Sequence, residues 1–208
     1  MWGTDTLDTV MVTHKVAGKE YNIEYLRSNR GAETLDQWPG GRPSIAGLSI
    51  LDVGTGDGKF VQDFDDPNTV KTYGQPKRVV GMDISLRKWQ QSPKYKGRFI
   101  KGDGLNLPFE DNEFDIYYCI QGPLAYFTPR WVNDQGQEGG TPELWGKALS
   151  EAYRVARKYV YFTTTAKMDV QKYEELLKDP RFKVVHPTPE EREGRFGAQM
   201  IVLQVIKN

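Results

Sequence analysis

Short apolar runs alternate with amphipathic stretches along most of this chain. The apolar runs predict strands at about 48–53, 78–83, 98–102, 114–120, 158–165, 182–186 and 198–206. The amphipathic stretches predict helices at about 57–65, 85–91, 142–157 and 170–178. Such alternation is typical of a doubly wound sheet, which binds ligands at the carboxyl ends of its strands.

The most informative segment lies where the first of these runs ends. It reads Leu51-Asp-Val-Gly-Thr-Gly-Asp-Gly-Lys-Phe60 and joins a predicted strand to a predicted amphipathic helix. The glycines at 54, 56 and 58 let the backbone turn sharply and let a ligand approach it closely. The free N–H groups at the start of the next helix favour polar or negative ligand groups. The segment therefore predicts a nucleotide-like ligand.

The spacing of the glycines restricts the choice of ligand. Dinucleotide-binding loops carry Gly-x-Gly-x-x-Gly, whereas here the third glycine comes one position early, at Gly58. A phosphate loop needs Ser or Thr after Gly-Lys, and here Phe60 follows Lys59. The pattern acid-x-Gly-x-Gly-x-Gly from Asp52 to Gly58 resembles the first motif of the class I S-adenosylmethionine-dependent methyltransferases.

Three later segments extend the resemblance over about residues 48–165. Asp83 ends the second apolar run, where a carboxylate can accept hydrogen bonds from both hydroxyls of a ribose, including that of a nicotinamide cofactor. Asp103 follows the third run at the position that binds the adenine amino group in this family, and Leu107-Pro-Phe109 comes next. Phe114-Asp115 opens the fourth strand, again as in the family.

The resemblance implies a Rossmann-like, doubly wound, mostly parallel seven-stranded sheet with an antiparallel strand pair at its C-terminal end. It implies S-adenosylmethionine as the cofactor, bound by Asp52, Gly54, Thr55, Gly56, Gly58, Asp83, Ile84, Asp103, Gly104 and Gln121. Residues 48–208 are expected to form the methyltransferase domain, and residues 1–47 an N-terminal cap on the substrate side. The family usually has a Pro-Gly-Gly turn before the fifth strand, and the stretch Glu151–Tyr159 lacks it.

Charge and composition bear on the partner. The 28 basic residues balance the 28 acidic ones, which argues against nucleic acid and anionic membranes as partners. The only basic cluster singled out, Arg154–Lys158, is expected to be the cationic end of a helix. The stretch Cys119–Pro123 lacks the Asn/Asp-Pro-Pro phrase of DNA amino-methyltransferases, so DNA is disfavoured. Structured RNA and protein acceptors are excluded less firmly.

Other residue types exclude further classes. Cys119 is the single cysteine, so an internal disulfide and a cysteine-based zinc cluster are excluded. We interpret it as a buried thiol, with a role as nucleophile left open. No apolar stretch reaches membrane-spanning length and Asp5 and Asp8 do not fit a signal peptide, so we expect a cytoplasmic protein. We interpret His14 as an exposed or packing side chain rather than as a catalytic base.

The resemblance, to the small-molecule "type 11/25" group of the family, implies methyl transfer to a small-molecule acceptor. Methyl transfer from a sulfonium is an in-line displacement that depends mainly on positioning, so no catalytic residue and no metal are predicted. An RNA or protein methyltransferase and a non-catalytic S-adenosylmethionine-binding module remain alternatives. The acceptor pocket is expected to involve residues 1–47 and a mobile lid at 121–141, which follows the fourth strand. The sequence does not indicate an oligomeric state.

Overall fold

Seven strands form one mixed sheet in the computed structural model of the protein. The structure describes residues 9–16, 18–26, 30–38, 41–120, 122–126, 141–163, 170–187 and 200–207. Two strands precede the sheet, β1 (Thr9–Val16) and β2 (Lys19–Leu26), and they pair antiparallel with each other. The sheet itself consists of β3 (Ser49–Val53), β4 (Arg78–Asp83), β5 (Phe99–Lys101), β6 (Phe114–Cys119), β7 (Ala156–Thr163), β8 (Phe182–His186) and β9 (Met200–Val205).

The strand order is β5-β4-β3-β6-β7-β9-β8. β3 to β7 run parallel, and β9 runs antiparallel to both β7 and β8. This confirms the predicted mostly parallel seven-stranded sheet with its closing antiparallel pair. The chain leaves β3 toward one edge through β4 and returns to β6 on the other side. The carboxyl ends of β3 and β6 therefore flank the switch point where open α/β sheets bind ligands.

The helices cover both faces of the sheet. They are α1 (Lys59–Asp63), α2 (Pro67–Tyr73), α3 (Pro123–Tyr126), α4 (Pro142–Val155) and α5 (Val170–Lys178), with short 3-10 helices at Ala32–Gln37, Lys88–Gln91 and Pro93–Tyr95. Neighbouring strand residues such as Ile50 and Leu51 are buried on opposite faces, as the twofold repeat of a strand requires. One face packs against α1, α2 and residues 32–35, and the other packs against α4 and α5.

Two helix predictions need correction. The predicted helix at 85–91 is wrong, because the structure has only 3-10 turns there; Ser92 is extended and Pro93 lacks the N–H that a helix would continue with. The helix predicted at 57–65 ends at Asp63, and the unpredicted α2 follows it. The signal for α2 was present, since Asp66 caps the helix by accepting from the Asn68 N–H and Pro67 occupies its first position.

The N-terminal segment contributes to the core of the sheet. Ala32, Leu35 and Ile45 are buried against the face that also buries Ile50. Thr34 is buried and bonds through its hydroxyl to the Tyr118 hydroxyl, and the Tyr161 hydroxyl donates to the Thr34 carbonyl at 2.8 Å. Residues 32–35 and Ile45, which belong to the predicted cap, therefore pack on the sheet.

The connection from α4 to β7 explains how the chain manages without a Pro-Gly-Gly turn. α4 ends at Val155 and β7 begins at the next residue, Ala156. Arg154, in the last turn of α4, donates to the Phe109 carbonyl at 2.6 Å and to Glu151 at 2.8 Å. The prediction of a cationic helix end is right for Arg154 but wrong for residues 157 and 158, which lie in β7.

Candidate functional site at the carboxyl edge of the sheet

The loop after β3 has a backbone that glycine alone adopts easily. Gly54, Gly56 and Gly58 have positive φ angles of 79°, 53° and 70°. Contacts also restrict Gly54 and Gly58. A Cβ on Gly54 would lie 2.7 Å from the Gly122 Cα, and a Cβ on Gly58 would lie 2.6 Å from the Phe99 ring. The Gly54 N–H also donates to the Met82 carbonyl at 2.8 Å, which fastens the loop to β4. The predicted glycine turn is thus fixed in shape and position.

Asp83 lies at the end of β4, beside this loop. One carboxylate oxygen accepts from the Gly56 N–H at 2.9 Å, and the other accepts from the Ser85 N–H at 3.0 Å. The side chains of Asp83 and Ile84 are half-buried, so they remain accessible from the edge of the sheet. Because each carboxylate oxygen can accept more than one hydrogen bond, Asp83 has capacity for ligand hydroxyls in this position.

Asp103 and Gly104 lie beyond β5, on the same edge. Asp103 is half-buried and accepts from the Leu105 N–H at 2.9 Å. Gly104 is buried, and a Cβ there would lie 2.5 Å from the Pro123 ring and 3.6 Å from the Val53 side chain. Gly104 therefore packs between the end of β3 and the segment that follows β6.

The predicted lid is described only at its beginning. Gln121 and residues 127–140 lie outside the described residues, so the lid and the site role of Gln121 stay predictions. Gly122, Pro123 and Leu124 are buried, and a Cβ on Gly122 would lie 2.7 Å from the Cys119 sulfur. Residues 122–124 are thus packed into the edge of the sheet.

Asp52, also at this edge, is a carboxyl group with a raised pKa. It is buried, and its carboxylate accepts from the Thr55 hydroxyl at 2.6 Å. Burial, opposed by this hydrogen bond and reinforced by the negative charge of Asp83, raises the pKa of Asp52 to about 7. A cationic ligand would stabilise the charged form of such a carboxylate. The sulfonium and ammonium groups of S-adenosylmethionine fit this requirement.

Cys119 does not fit a nucleophilic role. Its thiol is buried at the end of β6, and burial raises the pKa to about 12. The thiolate is the nucleophilic form, so the side chain is unreactive near neutral pH. The interpretation as a small buried thiol is the better one.

Two polar side chains that brace the glycine loop were missed by sequence reasoning. Gln90 is buried and donates to the Gly56 carbonyl at 3.1 Å. Arg87 donates to the Asp57 carboxylate at 2.5 Å. Nothing local in the sequence marks Gln90, because its partner lies 34 positions away. The opposite charges of Asp57 and Arg87 were visible, but not their contact.

The Phe114-Asp115 signature lies at the other end of the sheet. Asp115, at the amino end of β6, accepts from the Ser49 N–H at 2.9 Å and pairs with Arg157 and Lys158 at 3.1 and 3.3 Å. Its role is to join strands, away from the carboxyl edge. Within the described ranges, no three His, Cys, Asp or Glu side chains gather as a metal site, and every helix is too short or too polar to span a bilayer.

Comparisons with known proteins address the family. Residues 50–135 match the family described as "Methyltransferase domain". A protein described as an uncharacterized methyltransferase of Mycolicibacterium paratuberculosis is 29% identical over 110 residues, which cover 50% of this chain and 39% of that protein. A second uncharacterized methyltransferase, of Mycobacterium avium, is 29% identical over 110 residues, which cover 40% of that protein. The match thus spans about two fifths of these relatives.

A solved structure shows the same fold. It is the complex between the Haloferax volcanii Trm112 methyltransferase activator and a methyltransferase, and the similarity has a TM-score of 0.55 at 17% identity. It covers 85% of this chain and 88% of that one. The chain therefore has the fold of the methyltransferase in that complex, and residues 50–135 are the part that matches a methyltransferase domain.

Proposed function

We propose that the protein transfers the methyl group of S-adenosylmethionine to a small-molecule acceptor. The observation that carries the proposal is the contact between the glycine loop and the end of β4. The Gly56 N–H donates to Asp83 at 2.9 Å, so the two elements that hold a nucleoside in this family are already joined. When bound, the cofactor supplies an activated methyl group.

The residues of this chain then have the following proposed roles. Asp83 accepts hydrogen bonds from the ribose hydroxyls, and Ile84 lies against the base. Asp103 accepts from the adenine amino group, beside buried Gly104. The predicted cofactor residues of the loop are Asp52, Gly54, Thr55, Gly56 and Gly58, whose backbone comes close to the methionine part. Asp52, buried beneath the loop, stabilises the positive charge of the cofactor.

Two observations favour a small acceptor. The chain has no net charge, with 28 basic and 28 acidic residues, so it exerts no overall attraction on a polyanion. The stretch after β6 begins Gln121-Gly-Pro and lacks the phrase that stacks a flipped base in DNA amino-methyltransferases. Catalysis then consists of holding acceptor and methyl group in line and excluding water.

Binding and turnover test the proposal separately. In titration calorimetry, S-adenosylhomocysteine should bind more tightly than NAD. Tighter binding of NAD would contradict S-adenosylmethionine as the cofactor. Labelled methyl from S-adenosylmethionine should then appear in a low-mass fraction of a metabolite extract, with release of S-adenosylhomocysteine. Tight binding without release would favour the non-catalytic binding module.

One feature favours RNA as a second candidate acceptor. Residues 87–101 contain six basic residues and no acidic residue, a cluster that the balance of charges over the whole chain conceals. Two of them, Arg87 and Arg98, pair with Asp57 and Asp65. The other four are exposed and form no ion pair with any described residue: Lys88, Lys94, Lys96 and Lys101. Lys88, Lys94 and Lys96 lie in the connection from β4 to β5, and Lys101 ends β5.

Aromatic rings lie among these lysines. The half-buried rings of Trp89 and Tyr95 are 5.2 Å apart, and the Lys94 ammonium lies 4.8 Å from the Tyr95 ring centroid. Lysines interleaved with aromatic rings are typical of surfaces that bind single-stranded RNA. Such a surface beside the cofactor edge could hold an RNA acceptor.

Charge reversal distinguishes this candidate from non-specific attraction. The variant Lys88→Glu/Lys94→Glu/Lys96→Glu should lose at least about tenfold in affinity for single-stranded RNA, with a flatter salt dependence. The control Lys147→Glu/Lys178→Glu/Lys183→Glu changes the net charge equally at exposed lysines elsewhere. Equal losses in the two variants, or no binding by the wild type at low salt, would exclude an RNA surface at 88–101.

A further inference from the structure

The backbone of Gly56 is held on both sides. Its N–H donates to Asp83 at 2.9 Å, and its carbonyl accepts from the Gln90 side-chain amide at 3.1 Å. Asp83 ends β4 and Gln90 lies in the segment that follows it, so one residue of the glycine loop is held through both its N–H and its carbonyl. Glycine with φ at 53° has more conformational freedom than any other residue. The two contacts therefore restrict the backbone at this glycine.

Gln90 is built into this contact. Its side chain is 1% exposed, and its carbonyl oxygen accepts from the Arg87 N–H at 2.7 Å while its amide nitrogen donates to Gly56. Buried amides with both ends paired fix the geometry of the groups that they join. The amide nitrogen also lies 3.0 Å from the position of a Cβ on Gly58, so the side chain touches two glycines of the loop.

A second link runs parallel to the first. Arg87 donates to Asp57 at 2.5 Å, and both side chains are 36% exposed. Water and salt weaken an ion pair at such exposure. The buried amide of Gln90 is therefore the less salt-sensitive of these two side-chain links.

We propose that Gln90 is a positioning residue for the cofactor: by holding the Gly56 carbonyl, it aligns the Gly56 N–H with the Asp83 carboxylate before the nucleoside binds. This inference rests on the proposed function, because it assigns Gln90 to the same site. If Gln90 only filled space, an apolar side chain of the same length would serve as well. In the structure, both ends of its amide instead have a hydrogen-bond partner.

Gln90→Met tests this with a matched control. Methionine keeps the length of the side chain and removes both hydrogen bonds. The control is Gln62→Met, because Gln62 also donates to loop carbonyls, those of Asp57 and Gly58 at 3.2 and 3.3 Å, but from α1. Titration calorimetry with S-adenosylhomocysteine should show at least tenfold weaker binding for Gln90→Met and a change within threefold for Gln62→Met.

Hydrogen exchange of the unliganded protein gives a readout that needs no cofactor. The Gly56 amide should exchange at least about tenfold faster in Gln90→Met than in the wild type, while amides of β6 stay protected. Binding within threefold of the wild type, or equal weakening in Gln62→Met, would overturn the proposal. If Gln90→Met does not fold, Gln90→Glu replaces it, since it keeps the acceptor for Arg87 and lacks the donor for Gly56.

The two possible failures can be told apart. A wild type that binds neither S-adenosylmethionine nor S-adenosylhomocysteine contradicts the proposed function. Faster exchange of the Gly56 amide in Gln90→Met would then still show that Gln90 holds the loop. Unchanged exchange together with normal cofactor binding contradicts the role of Gln90 alone.

Discussion

Two buried aspartates lie on neighbouring strands and at opposite ends of the sheet. Asp115, at the amino end of β6, faces two cations and a backbone donor, and these outweigh the effect of burial and lower its pKa. Asp52, near the carboxyl end of β3, has the Thr55 hydroxyl as its donor and forms no ion pair with any described residue, and burial raises its pKa to about 7.

We infer from the difference that one end of the sheet contributes to stability, and we propose that the other end receives the ligand. A carboxylate whose burial is offset by nearby cations, such as Asp115, links elements and contributes to stability. A buried carboxylate without cations beside it, such as Asp52, lowers the stability of the unliganded protein when the carboxylate is charged. Such groups concentrate at functional sites, where the ligand supplies the missing interaction. The comparison therefore predicts opposite effects when each aspartate is replaced.

The largest effect is expected for Asp52→Asn as a function of pH. Since the folded-state pKa is raised from 3.8 to about 7, the penalty is absent below about pH 4 and complete above about pH 7. At about 1.4 kcal/mol per unit of pKa, it reaches the order of 4 kcal/mol. Urea unfolding should therefore show the stability of Asp52→Asn, relative to the wild type, rising between pH 4 and 8. A difference that is independent of pH would remove the contrast with Asp115.

The shape of the loop gives the second prediction. Gly58→Ala places a methyl group 2.6 Å from the Phe99 ring at a φ of 70°, and we expect a loss of about 2–5 kcal/mol in the free energy of unfolding. Gly97→Ala is the control, because Gly97 has a φ of 79° but open space around its Cβ position. It should lose only about 1–2 kcal/mol. Equal losses would mean that the contact with Phe99 is easily relieved.

A smaller effect of opposite sign is expected at the other end of the sheet. Asp115→Asn should lower the free energy of unfolding at pH 7 by about 1–3 kcal/mol, since it weakens the contacts with Ser49, Arg157 and Lys158. Because the pKa of Asp115 is lowered, the wild type holds this contribution above about pH 4 and loses it as the pH falls further. Denaturant titrations should therefore show a smaller difference in the free energy of unfolding between the wild type and Asp115→Asn at pH 3 than at pH 7. A stabilised Asp115→Asn at pH 7 would contradict the comparison.

The two ends also differ in how well the sequence predicts them. The glycine loop and the ends of β3 and β4 follow from local signals, because an apolar run, an acidic residue and glycines lie together in the chain. The long helix α4 follows equally well from its apolar periodicity. The roles of the predicted cofactor residues remain predictions, although the structure shows where each described one lies.

The missing parts depend on contacts between distant residues. The partners of Asp115 come from β3 and β7, so they require the strand register. Gln90 forms its hydrogen bond to Gly56 across 34 positions, from a 3-10 turn in the region where a helix was predicted. Periodicity indicates which face of an element is buried, but it does not reveal a polar side chain that is buried to meet a loop.

Cofactor binding by variants at the two ends tests the central claim most directly. Titration calorimetry with S-adenosylhomocysteine should show that Asp83→Ala weakens binding by about 2–4 kcal/mol, because two charge-assisted hydrogen bonds to the ribose are lost. Asp115→Asn should bind within about threefold of the wild type, or about 0.7 kcal/mol, although it is less stable. If Asp83→Ala is folded and binds as the wild type does, or if Asp115→Asn loses as much affinity, the carboxyl edge is not the cofactor site.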